Sequence, residues 1–310
     1  MKVVLPYDAP PGVRAIIEHS DLGIALISET DAGHLAREMS DADVLLHVLA
    51  PVTAAIMQSA PKLKLVQKIG IGVDAIDLDF ARKAGIAVCN LPGTNSAAVA
   101  ELALGLMLSC LRRIAAISRE MHEGRGWPLR PDLLDGAGEI GGRCVGLIGY
   151  GAVPRKLAPA LRALGARVVA HDPAAKDADV ELLDLHDLLR KADIISLHVP
   201  LTPQTSNLID GARIAAMKRG AIIINTARGA LIDEAALLSA LESGHVAAAG
   251  LDVFAREPAG PDNPLLRLDN VVATPHVGWL TDGTWRRSIG VIAENCRRLA
   301  AGEPLLHRVV

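Results

Sequence analysis

Short runs rich in Val, Ile and Leu recur along the chain, each bounded by Gly, Pro, Asp or Asn, and between them apolar residues return at helical spacing. Uninterrupted apolar runs read as strands buried on both faces, and the stretches between them as amphipathic helices, so the alternation predicts parallel sheets joined by crossover helices. In the first third the expected strands are Val3–Pro6, Ile24–Ile27, Val44–Leu49, Leu65–Ile69 and Ile86–Cys89, with helices starting near Pro11, Asp31, Thr53 and Leu78. One continuous helical pattern then runs from about Ser96 to His122, a length typical of helices that join domains. After the Gly/Pro-rich stretch HEGRGWPLRPD the rhythm restarts, with strands expected at Arg143–Ile148, Arg167–His171, Ile194–Val199, Ala221–Asn225, Ala247–Leu251 and Val271–Ala273. A last amphipathic helix covers about Asp282–Ala301. The expected fold is α/β: two Rossmann-like or flavodoxin-like domains, each an open parallel sheet with helices on both faces, linked by two long helices. Residues 1–96 with 284–310 should form one domain and residues 97–283 the other.

The chain has 310 residues, enough for two ordinary domains, and half of them are hydrophobic. A net charge of −3 without a basic stripe gives no reason to expect a nucleic-acid partner, and no cationic amphipathic run suggests a membrane surface. The most apolar segment, Leu102–Leu111, is about half of what a membrane crossing needs, and reads as part of a buried helix. Four well-separated cysteines, Cys89, Cys110, Cys144 and Cys296, form no C-x-x-C pair and fit reduced thiols in the cytoplasm. No metal site is expected.

The stretch GLIGYGAVPRKLA places Gly149 and Gly151 between an expected strand and an expected helix, as a dinucleotide-binding turn does. The first two glycines of such a turn let the backbone approach a pyrophosphate, and the helix N-terminus beyond them offers free N–H groups to the anion. Pro154 stands where the third glycine belongs; with Ala152 as the first helical residue it falls in the first turn, where its missing N–H is not needed. Asp172, about twenty residues on at the end of the next strand, suits the adenosine ribose hydroxyls and would repel a 2′-phosphate, which favours NAD over NADP. Arg155 and Lys156 are open to two readings, as charges near the pyrophosphate or as solvated helix residues.

Three later stretches set polar residues just beyond strand ends: Arg228 in NTARGALIDEAAL, Asp252 and Glu257 in GLDVFAREP, and His276 in ATPHVGW. In an open parallel sheet ligands bind at the C-terminal strand edge, so these residues converge on one place. Their chemistry is complementary. An arginine holds a carboxylate and polarises a carbonyl, a histidine exchanges a proton near neutral pH, and a carboxylate beside that histidine orients it and favours its charged form. This is what interconversion of a 2-keto acid and a 2-hydroxy acid requires.

Those three stretches resemble the most specific segments of the D-isomer-specific 2-hydroxyacid dehydrogenases, and KIGIGVDAIDLDFARKAGIAVCNLPGTNSAAVAELAL and SLHVPLTPQTSNLI are similar to other parts of that family. The resemblance runs from about Asp43 to near the end of the chain. It implies an NAD-dependent dehydrogenase with Arg228 binding substrate, His276 as acid and base, and Glu257 as its partner. It further implies Asp252 on the nicotinamide amide, Ala152 and Val153 along the pyrophosphate, Pro200 beside the adenine, and Thr226 and Ala227 on the nicotinamide side. Backbone N–H groups of Gly72 and Val73 would bind the substrate carboxylate, and a homodimer is implied, with a flavodoxin-like substrate domain and a doubly wound cofactor domain. An NAD(H)-binding regulatory protein on the same fold, with little turnover, is the alternative.

The substrate stays open among glyoxylate, hydroxypyruvate, 3-phosphohydroxypyruvate and longer 2-keto acids. Lys68 reads either as the partner of a second anionic group or as a plain edge-strand lysine, and Trp279 as a pocket wall or a packing residue. Arg125, Trp127 and Arg130 are placed to reach a neighbouring subunit.

Overall fold

The computed structural model describes residues 1–128 and 131–310, so the expectation for Arg130 lies outside the described residues. Among the described residues twelve strands form two sheets. The first holds β1 (Val3–Pro6), β2 (Ile24–Ile27), β3 (Val44–His47), β4 (Leu65–Lys68) and β5 (Ala87–Cys89), in the order β2-β1-β3-β4-β5, all parallel. The second holds β6 (Cys144–Ile148), β7 (Arg167–His171), β8 (Glu181–Leu182), β9 (Ile194–Leu197), β10 (Ala221–Asn225), β11 (Val246–Leu251) and β12 (Val271–Ala273). Their order is β12-β11-β10-β9-β6-β7-β8, again parallel throughout.

Residues Met1–Asn95 and Trp279–Val310 form one compact unit, and Ser96–Gly278 the other. The chain thus returns to the first unit at Trp279, where the sequence pattern had suggested 284. The long helices lie one in each unit, Ser96–Arg112 in the second and Asp282–Ala301 in the first, so neither spans both. The helical stretch expected to reach His122 without a break is two helices, Ser96–Arg112 and Ile114–His122. Arg113 between them adopts the left-handed conformation, with φ of 50°. The first of these helices is capped from outside, for the Gly138 N–H donates to the Leu111 carbonyl at 2.9 Å. Nothing in the local sequence encodes a break made by a distant donor. The sequence pattern also missed β8, a two-residue exposed edge strand too short to leave a periodicity.

In the second unit the two faces of the sheet bury separate apolar clusters. One gathers Ile195, Leu197, Ile223, Leu231 and Leu237; the other sets Ala103, Leu106 and Met107 of the long helix against Val145, Leu147, Leu157 and Leu161. Two-sided burial explains why β10, AIIIN, is buried at all five positions. The strand order reverses between β6 and β9, and such a switch point opens a crevice at the C-terminal strand ends.

In the first unit β3 and β4 are buried along their whole length, including the polar His47, Gln67 and Lys68. Lys68 is therefore no edge-strand residue: β4 lies between β3 and β5, and its ammonium donates to the Val48 carbonyl. The Gln67 amide is satisfied in the interior, donating to the Cys89 carbonyl at 3.2 Å and accepting from Asn295 Nδ2 at 2.7 Å. Trp279 is a packing residue of this unit, 8 % exposed, with its ring centroid 6.1 Å from Tyr7 and 5.7 Å from Trp285. Trp285 is fully buried at the start of the last helix. Replacing Trp285 with Ala should cost about 3–5 kcal/mol by lost burial and the cavity left behind, read as a lowered urea midpoint for the unit's unfolding.

Candidate active site

The residues after β6 fold as a phosphate-binding turn requires. Gly149 has φ of 91°, and a Cβ there would lie 2.6 Å from the His198 carbonyl oxygen after β9, so the switch point closes only over a glycine. A Cβ on Gly151 would meet nothing within 4 Å, which leaves open space above the turn. The helix Ala152–Ala163 then begins at Ala152 with Gly151 as its N-cap and no side chain capping it. Its first N–H groups are thus left for another acceptor. Pro154 is the third helical residue and is buried, where a missing N–H costs no helical bond. Asp172 is drawn to the turn: its Oδ2 accepts the Tyr150 N–H at 2.8 Å and its Oδ1 the Ala174 N–H at 2.9 Å. Carboxylate oxygens have lone pairs for further donors, so ribose hydroxyls can still bond there. Arg155 points elsewhere, donating to the carbonyls of Lys176 and Asp177 at 2.9 and 3.2 Å, and Lys156 is exposed. Pro200, beyond β9, is exposed, and its carbonyl accepts from the Thr205 hydroxyl at 2.7 Å.

Beyond β10 the backbone turns through Thr226 and Ala227 to Arg228. The turn is built by Asn225, whose amide donates to the Arg228 carbonyl at 2.8 Å and accepts the Ala227 N–H at 3.0 Å. Thr226 is 9 % exposed, and its buried hydroxyl has no hydrogen-bond partner among the described residues. A buried hydroxyl without a partner at the C-terminal end of the sheet suits a polar ligand. The half-buried Arg228 guanidinium donates to the Ala227 carbonyl at 2.8 Å. The next residue decides where this loop sits. A Cβ on Gly229 would fall 1.8 Å from the Phe254 carbonyl carbon and 2.2 Å from the Ala255 nitrogen, so two backbones touch there. Only glycine lets the arginine loop lie against the loop that carries Glu257.

Asp252 directly follows β11 and is 1 % exposed. Burial pushes its carboxyl up, against the opposing pull of its donors: the Thr274 hydroxyl at 2.6 Å, the Val277 N–H at 2.9 Å and the Gly278 N–H at 2.8 Å. All three donors lie in the loop around His276. The His276 N–H donates to the Asp252 carbonyl at 2.7 Å, and the residue is held at φ of 55°. A left-handed histidine costs roughly 1–3 kcal/mol, which these bonds offset.

The ring so placed meets Glu257, with Nδ1 and Oε2 2.7 Å apart. Glu257 is steadied in turn by the Phe254 N–H on Oε1 at 3.0 Å, and its loop by Glu234, which accepts the Ala255 N–H at 2.7 Å. Burial alone would raise the Glu257 carboxyl, but the bonds from His276 and Phe254 and the nearby charge of Arg228 outweigh it and hold it below the usual glutamate range. With Glu257 ionised, Nδ1 is the ring nitrogen that donates to it. The second unit therefore brings together Arg228, Asp252, Glu257 and His276 at the ends of three neighbouring strands. Gly72 and Val73 lie in the first unit, in the loop after β4, as does Lys68 at the end of that strand. Gly229, Thr274 and Glu234 were missed. A glycine directly after the arginine was the available signal for the first; the other two act only through loops brought close by folding. Among the described residues no group of three or more His, Cys, Asp and Glu could hold a metal ion, and no helix is long and apolar enough to cross a membrane.

Residues 104–278 match the pattern of the D-isomer specific 2-hydroxyacid dehydrogenase NAD binding domain. The chain belongs to that family. Among its relatives is a hydroxypyruvate reductase of Thermotoga maritima, 44% identical over 269 residues, which are 84% of this chain and 87% of that protein. A D-3-phosphoglycerate dehydrogenase of Mycobacterium bovis is 41% identical over 98% of this chain but only 58% of its own length, so this chain spans little more than half of that relative. Among solved structures, the TT0316 protein of Thermus thermophilus superposes with a TM-score of 0.88 at 36% identity, over all of both chains. As a member of this family the chain has NAD as its cofactor, and the glycine turn, uncapped helix and Asp172 are the groups that fit it.

Substituting Gly229 with Ala should destabilise the second unit by more than about 2 kcal/mol through backbone overlap. Gly211→Ala, where a Cβ would make an ordinary 3.5 Å contact with Ala236, should stay within about 1 kcal/mol of the parent. Thermal unfolding of the two variants checks both.

Proposed function

We propose that this dehydrogenase interconverts a 2-keto acid and a D-2-hydroxy acid, with Arg228, Glu257 and His276 as its catalytic residues. The observation that carries the reading is the 2.7 Å contact between His276 Nδ1 and Glu257 Oε2, with Arg228 close enough for its charge to act on the same carboxylate. NADH, when bound, supplies the hydride that adds to the keto carbon. Arg228 holds the substrate carboxylate and polarises the keto oxygen through its fixed fork of donors. His276 Nε2 delivers a proton to that oxygen as it gains charge, and Glu257 stabilises the ring while it is charged. The product is the hydroxy acid; the reverse reaction returns the proton to Nε2.

In this reading Gly149, Gly151, Ala152 and Val153 cradle the pyrophosphate, Asp172 takes the ribose hydroxyls, and Pro200 lies by the adenine. Thr226 and Ala227 line the nicotinamide side. Asp252 serves mainly by holding the His276 loop, since its oxygens already accept three donors; a contact with the nicotinamide amide is a further use of the same carboxylate. Gly72, Val73 and Lys68 of the first unit are proposed as substrate-binding residues on the family resemblance alone.

Relatives named D-3-phosphoglycerate dehydrogenase, hydroxypyruvate reductase and glyoxylate reductase define the keto acids to try first. A homodimer in the cytoplasm completes the reading. Exposed Ile114, Met121, Trp127 and Leu134, all within one stretch of the second unit, support the dimer, and four free cysteines support the compartment.

A panel of 3-phosphohydroxypyruvate, hydroxypyruvate, glyoxylate and longer 2-keto acids, followed by NADH oxidation, tests the activity. NADH binding with no turnover across the panel would instead favour a regulatory protein. His276→Ala should lower kcat by about 10²–10⁴, and Arg228→Ala should lower kcat/KM by about tens- to thousands-fold. Wild-type rates in both variants would remove these roles. In Glu257→Gln the charge-assisted bond that orients the His276 ring becomes a neutral one, so kcat should fall about tenfold, the loss of roughly 1.4 kcal/mol. Steady-state rates at saturating keto acid and NADH check that loss.

A further inference from the structure

Tyr150 stands between the two glycines of the turn and is 2 % exposed. Its backbone N–H donates to Asp172 Oδ2 at 2.8 Å, and its hydroxyl donates to the carboxylate of Asp179. One residue thus grips both ends of the segment 172–179. The adjoining helix Ala152–Ala163 adds two arginines. Arg155 lies over the Tyr150 ring, 5.0 Å from its centroid, and donates to the carbonyls of Lys176 and Asp177. Arg162 donates to the Asp179 carbonyl at 2.8 Å and to its Oδ2 at 2.6 Å. The segment has little else to hold it. Pro173, Ala174, Lys176, Asp177 and Asp179 are exposed, and only Ala175 and Ala178 pack against the sheet's apolar face.

Burial and the adjacent carboxylate push the Tyr150 phenol up to about 12, while the phenol and Arg162 pull Asp179 down to about 2. The donor stays a phenol and the acceptor a carboxylate throughout the neutral range, so the tether does not come and go with pH there.

We propose that Tyr150 is a positioning residue for the cofactor: its phenol fastens the 173–179 segment to the helix of the glycine turn and so fixes Asp172 toward the adenosine ribose before NAD arrives. A carboxylate already in place spares the ordering cost at the moment of binding. A carboxylate that cannot retreat also rejects a 2′-phosphate more firmly, because the repulsion is not relieved by loop movement. Tyr150 contacts the site through Asp172 and takes no part in the reaction, so its effect belongs in cofactor affinity and choice and not in the rate at saturation.

This inference rests on the ribose-binding role of Asp172, and the experiment keeps the two apart. NADH and NADPH dissociation constants are measured by nucleotide fluorescence without any keto acid, for Tyr150→Phe, Asp179→Asn, Asp172→Ala and Arg167→Ala. Tyr150→Phe keeps the ring and its packing and should weaken NADH binding about three- to tenfold, the loss of one bond to a charged group. It should narrow the preference for NADH over NADPH and leave kcat at saturating NADH within about twofold of the parent. Asp179→Asn should move the same way, and it serves alone if the tyrosine variant does not fold. Arg167→Ala breaks an ion pair with Glu181 on the same strand pair but outside the tether, and should bind NADH as the parent does. If Asp172→Ala weakens NADH binding while Tyr150→Phe and Asp179→Asn bind both nucleotides as the parent does, the tether is structural only and the proposal is overturned, whatever the melting temperatures. If Asp172→Ala has no effect, the ribose role fails and the inference with it. Weakening by Arg167→Ala equal to that by Tyr150→Phe would also overturn it, since general loosening of the sheet edge would then account for the loss.

Discussion

A carboxylate with 1 % exposure has to find donors inside the protein, and Asp252 finds three in the loop that carries His276. Leaving such a group unpaired would cost several kcal/mol, so the loop is held as firmly as the carboxylate is buried. His276 sits at a left-handed φ that a free loop would abandon, and from there its ring reaches Glu257. The placement of the His276 ring beside Glu257 depends on that one desolvated group.

Close backbone contact is the second constraint. At Gly149 and Gly229 a single added carbon would overlap a carbonyl or a peptide nitrogen of another strand's loop. These glycines set the distances between loops, and the loops carry the uncapped helix start in one case and Arg228 in the other. Side chains with chemistry are thus placed by positions that have no side chain. The proline in the glycine fingerprint fits the same logic. Pro154 falls in the first turn of its helix, where no helical bond needs its donor, and the N–H groups of Ala152 and Val153 before it stay uncapped.

Much of this was legible beforehand. Parallel strands buried on both faces leave unbroken apolar runs, so β1, β2, β7, β10 and β12 begin and end where the runs do. Polar residues just past such runs pointed to Arg228, Asp252, Glu257 and His276, because the strand edge of an open sheet is a fixed place. The break at Arg113 and the edge strand β8 were not legible: one depends on a distant N–H donor, and the other is too short to carry a pattern.

Local order in the chain therefore determined the elements, the two sheets and the kinds of side chain at the strand ends, since burial acts on every residue of a strand alike. Tertiary structure alone decided that Lys68 is buried rather than exposed at an edge, that Trp279 packs with Tyr7 and Trp285, and that Tyr150 reaches Asp179. Each of these turns on which residues distant in the chain become neighbours. Periodicity reports the face a residue lies on, whereas a partner is set only when strand order and loop paths are complete.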